Sequence, residues 1–137
     1  MTSTLRQTHP FFKQYNEKVM VFDGAMGSCI QGYDLTEDDF EGLDGCNEYL
    51  LKTRPQIIKE IHAAYFTVGC DVVETNSFGS TPLVLDEYGI GEQAYELSRL
   101  SAVYAKEVAH DFSSERRRFV AGSIGPTTKL PSLWHIA

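Results

Sequence analysis

The sequence predicts an α/β fold in which parallel strands are joined by right-handed helical crossovers. Three short, almost continuous apolar runs, over residues 19–22, 71–76 and 119–124, read as strands buried between helices. Helix-period segments separate them. Each run ends in a polar, glycine-bearing turn, and in a parallel sheet such turns lie on one rim.

Taken in order, residues 10–18 place Phe11, Phe12 and Tyr15 on one face of a short helix suited to covering the base of the sheet. The first strand follows, then the turn Asp23-Gly24-Ala25-Met26-Gly27-Ser28. From Asp23 to Leu51 there is no lysine or arginine, and the acidic stretch from Asp34 to Glu41 is expected to be a long solvated excursion. Within it Thr36 and Asp39 have capping-box spacing, so a helical turn is expected to begin there.

Thr53-Arg54-Pro55-Gln56 predicts a helix start, with Thr53 as cap, Pro55 where a missing N–H costs nothing, and Gln56 reaching back. Ile57, Ile58, Ile61, Ala64, Tyr65 and Val68 then recur at helical spacing, and Gly69 fits the left-handed position past the end. The second strand leads to Ser77-Phe78-Gly79-Ser80-Thr81-Pro82, a short helical piece ending near Gly89, and a longer helix over residues 92–111. The third strand closes with Gly125-Pro126-Thr127-Thr128.

At 137 residues the chain is shorter than the roughly 250 of a complete eight-fold barrel. It therefore reads as the opening part of a larger domain. The net charge of -7 argues against a nucleic-acid surface. Arg116-Arg117-Arg118 is expected to be a solvated helix end, its cations facing the carbonyl end of the dipole. No run of about 20 apolar residues is present to span a bilayer, and the N-terminus lacks the apolar core of a signal peptide. Cys29, Cys46 and Cys70 form no close pair and are odd in number, which favours a reducing, cytoplasmic setting.

Asp23 is placed to hold a substrate ammonium. Backbone N–H groups at Gly24 and Ala25 are open to an anionic group, since Gly24 has no Cβ. A dinucleotide site is disfavoured, because Gly24 and Gly27 do not form G-x-G-x-x-G and Glu74 follows by about 50 residues instead of about 20. The three cysteines lack zinc-ligand spacing and read as buried or loop residues. His62 and His110 are expected to be surface or satisfied side chains.

Several strings in order carry a resemblance: Val21-Phe22-Asp23-Gly24-Ala25-Met26-Gly27-Ser28, Gly32-Tyr33-Asp34-Leu35-Thr36-Glu37-Asp38-Asp39-Phe40, Asn47-Glu48-Tyr49-Leu50-Leu51, Glu74-Thr75-Asn76-Ser77-Phe78-Gly79-Ser80 and Gly125-Pro126-Thr127. Over nearly the whole chain it resembles the start of the cobalamin-dependent methionine synthases, within the homocysteine S-methyltransferase family. The resemblance implies residues 1–137 as part of a homocysteine-binding (β/α)8 barrel, with Asp23, Gly24 and Ala25 on the amino-acid part of homocysteine and Asn76 and Ser77 in the same pocket. It also implies a methyl group passing from cobalamin, ultimately from methyltetrahydrofolate, to a zinc-activated homocysteine thiol. The zinc-ligating cysteines and the folate, cobalamin and S-adenosylmethionine modules are expected outside this chain, so the chain alone is expected to be inactive. A non-catalytic partial barrel that pairs with another chain is the alternative.

Overall fold

The computed structural model describes residues 8–114 and 116–127. Helix α1, Pro10–Glu17, opens the fold; His9 caps it, its Nδ1 accepting from the Phe11 N–H at 3.3 Å. Phe11 packs edge-on against Phe119 at 5.4 Å, so the aromatic face does cover the base of the sheet.

The segment after α1 differs from expectation. Only Phe22 pairs, through a single parallel bridge to Val72, and Val19, Val21 and Phe22 are 85%, 50% and 43% exposed. An apolar run is buried in a parallel sheet only when covered on its faces and flanked on both sides. This one is flanked on one side among the described residues. Its backbone still runs beside the next strand, with Asp71 N and Val72 N donating to Val21 O and Asp23 N donating to Val72 O at 3.0 Å.

Helix α2, Met26–Ile30, follows the first turn. A 3-10 turn over Glu37–Phe40 has the capping box: Asp39 Oδ2 accepts from the Thr36 N–H at 2.7 Å and from its hydroxyl at 3.0 Å. The excursion is not wholly solvated, because Asp39 and Phe40 are buried and Arg54 pairs with Asp39. These bonds hold the Asp39 carboxyl below the usual range.

A second 3-10 turn, Asn47–Tyr49, runs into α3, Leu50–Thr53, and α4, Pro55–Thr67. Thr53 does not cap α4. It ends α3, the capping position passes to Arg54, and the Thr53 hydroxyl has no hydrogen-bond partner among the described residues. At the other end Val68 closes α4 and Gly69 takes φ +109°, as the spacing predicts.

Strand β1, Val72–Glu74, is followed by α5, Pro82–Leu85, where the Thr81 hydroxyl accepts from Val84 N. Then come α6, Ala94–Asp111, and β2, Phe119–Ala121. The two strands pair in parallel with Val72 beside Phe119 and Glu74 beside Ala121. Both are shorter than the sequence runs, and β2 is half-buried.

Two apolar clusters hold the elements together. One joins Leu50, Leu51, Ile58, Leu85 and Leu97, all fully buried, each worth about 2 kcal/mol over exposure. The other packs Phe66, Val73, Ala105 and Val108 between α4, α6 and the sheet. Arg118 is not a solvated cation: it donates to the carbonyls of Phe66, Cys70 and Phe112, so it serves the carbonyl ends of both α4 and α6.

His62 also departs from expectation. It is fully buried on α4 and neither ring nitrogen has a hydrogen-bond partner among the described residues. Burial lowers its pKa to about 4. His110 is on the surface, 90% exposed, while Thr128 and His135 lie outside the described residues.

Candidate functional site

The rim turns are stitched to one another. Thr75 N donates to Ala121 O, Ser123 N donates to the Thr75 hydroxyl at 2.9 Å, and Gly125 N donates to Phe78 O at 3.0 Å. The Ser77 hydroxyl bonds that of Thr75 at 2.7 Å and donates to Ser123 O at 2.9 Å. These bonds set the turns after the strands at fixed spacing.

Between them lies a cleft of about 380 Å³. Asp23, Gly24, Ala25 and Asn76 line it, and Ser77 stands beside it, off the lining. Asn47, Glu48, Phe78 and Ser123 also line it, although residue chemistry alone did not single them out. Asn47 and Glu48 arrive from the excursion: Asn76, itself buried, donates from Nδ2 to Asn47 O at 2.9 Å, and Gly79 N donates to Glu48 Oε1 at 2.6 Å.

Both oxygens of Asp23 accept from the Glu74 N–H, each at 3.0 Å. Burial pushes the Asp23 carboxyl up to about 6, the Glu74 charge adds to the rise, and the Glu74 N–H opposes it. All the ionisable residues lining the cleft, Asp23, Glu48 and Glu74, are acidic. A cation entering the cleft would relieve this unfavourable crowding of charge. Ala25, at φ +20°, holds the turn out of regular structure at the start of α2.

The described residues do not fit a zinc ion. Among the described residues no three histidine, cysteine or carboxylate side chains come together to hold a metal. Cys29 Sγ lies 3.4 Å from the Tyr65 hydroxyl, Cys70 faces Phe22 O, and Cys46 is fully buried. Burial raises the pKa of both Cys46 and Cys70, and the nearby Asp23 and Asp71 charges raise that of Cys70 further, so both are held as thiols. Among the described residues no helix is long and apolar enough to cross a membrane.

The sequence profile described as Homocysteine S-methyltransferase matches residues 20–135. The chain is 49% identical over 121 residues to the methionine synthase of Mycobacterium tuberculosis (strain ATCC 25618 / H37Rv), and 48% identical over 120 residues to that of Mycobacterium leprae (strain TN). These alignments cover 88% and 87% of this chain but 10% of each relative's length. The homocysteine methyltransferase MmuM from Escherichia coli shares the fold. Its metallated form superposes with TM-score 0.70 at 24% identity, covering 86% of this chain and 42% of that one; its oxidized form gives 0.72.

Proposed function

The chain belongs to the homocysteine S-methyltransferase family, and from that premise we propose that its cleft holds the amino-acid part of homocysteine. Residues 1–137 then form part of one homocysteine-binding domain, the first three or so strands of a (β/α)8 barrel, in a methionine synthase. That enzyme moves a methyl group from methylcobalamin, ultimately from methyltetrahydrofolate, to homocysteine in methionine biosynthesis. The observation that carries the reading is the convergence of the rim turns on one acidic cleft fronted by Asp23.

In this reading the acidic wall attracts the ligand's ammonium, and the N–H groups of the Gly24–Ala25 turn face its carboxylate. Asn76 and Ser77 fix the second turn against Asn47 and Ser123. In this reading zinc and cobalamin are held by other parts of the enzyme, and the role of this chain is binding and orientation. A cytoplasmic setting accords with three free cysteines.

Calorimetric titration of the chain with L-homocysteine tests the proposal. Saturable binding that Asp23→Ala weakens about twofold is expected, the loss of a supporting charge and not of a direct bond; heats of dilution alone would contradict it. With zinc and methylcobalamin supplied, the chain is expected to form no methionine, and turnover would refute the proposed division of labour.

A second reading, a non-catalytic partial barrel that pairs with another chain, draws on the exposed flank at Val19, Val21 and Phe22. Light scattering separates the two: a defined dimer favours pairing, and a monomer that binds homocysteine opposes it.

A further inference from the structure

Glu48 enters the cleft from outside the strand ends. It belongs to the 3-10 turn Asn47–Tyr49, and the Gly79 N–H holds its Oε1 at 2.6 Å, a short charge-assisted bond. A Cβ at residue 79 would stand 2.9 Å from that oxygen, so glycine is what lets the carboxylate sit there. Any larger residue would displace the flexible tip of Glu48 before it displaced the backbone. The other oxygen, Oε2, has no hydrogen-bond partner among the described residues, and the side chain lines the cleft. Asp23 differs, for the Glu74 N–H already engages both of its oxygens.

Resting on the reading of the cleft as a homocysteine site, we infer that Glu48 is the residue that selects for the ligand's ammonium. Gly79 fixes one carboxylate oxygen, and the other is presented to the ammonium. Asp23 supports the contact through its charge. A site built to bond a polar group rejects the analogue that lacks it, because the half-buried Glu48 oxygen then loses its partner in the filled cleft.

The test is the ratio of two affinities, measured calorimetrically on the 137-residue chain: L-homocysteine against 4-mercaptobutyrate, the same thiol acid without its amino group. The unchanged chain is expected to favour homocysteine about tenfold or more, the worth of one charge-assisted bond. Glu48→Gln keeps an acceptor for Gly79 while removing the charge, and is expected to bring the ratio to within about twofold. Gly79→Ala displaces the carboxylate without deleting it and is expected to lower the ratio in the same direction. A Glu48→Gln ratio equal to that of the unchanged chain overturns the inference and leaves the homocysteine reading standing. Absence of homocysteine binding by the unchanged chain overturns both.

Discussion

Two aspartates stand at opposite ends of the sheet, and their surroundings drive them in opposite directions. At the base, Asp71 is 2% exposed; Lys18 Nζ lies 2.7 Å from its carboxylate, Arg116 lies 3.6 Å away, and the Val21 N–H donates at 3.1 Å. Burial alone would raise its pKa, but the Lys18 hydrogen bond, the Val21 N–H and the two cationic charges outweigh it and hold the carboxyl below its ordinary value. At the rim, Asp23 has one backbone donor and an acidic neighbour, and rises to about 6. A carboxylate matched by cations stabilises the fold, whereas an unmatched one opposes folding and is available to a ligand's cation.

The largest expected break in this comparison is Asp71→Ala. It leaves the Val21 N–H and two cations without their acceptor and should cost about 3 kcal/mol in urea unfolding. Because the folded pKa of Asp71 lies below its unfolded value of 3.8, its stabilisation is present above that pH and is lost as pH falls through the folded value.

His62 adds an acid-sensitive element between the two ends. Its folded pKa of about 4 lies below the ordinary 6.5, so the folded chain refuses a proton that the unfolded chain accepts. Stability is therefore expected to fall by roughly 2–3 kcal/mol as pH drops from 6.5 to about 4. His62→Leu should flatten urea midpoints across that window; parallel curves for the two proteins would contradict this account.

Lys18→Ala removes a cation that is 38% exposed, and solvent screening reduces the expected loss to about 1 kcal/mol. The smallest effect is at the rim. Asp23→Asn should raise stability at pH 8 by less than about 1 kcal/mol, since it removes a charge whose folded pKa is elevated. The gain should fade below pH 6 while homocysteine affinity falls.

The legible parts of the molecule were those with a period or a special backbone need. Helix α4 was readable from Ile57 to Gly69, and the Asp23 turn was readable as a carboxylate at a strand end. The placement of Asn47 and Glu48 was not, because a 3-10 turn at the end of an irregular excursion has no period, and two long-range hydrogen bonds bring it to the cleft. The run at 19–22 has the composition of a buried strand, but burial depends on neighbours that local sequence does not specify. His62 did leave a signal: it falls with Ile58, Ile61 and Phe66 on the buried stripe of α4, and its polarity masked its position.

The most direct measurement follows the side-chain carboxyl carbons of Asp23 and Asp71 by NMR through a pH titration, with and without L-homocysteine. The Asp23 midpoint is expected at about 6, falling when the ligand's ammonium enters the cleft, and that of Asp71 below 3.8 and unchanged by the ligand. An Asp23 midpoint near that of an ordinary aspartate, or one indifferent to homocysteine, would contradict this expectation.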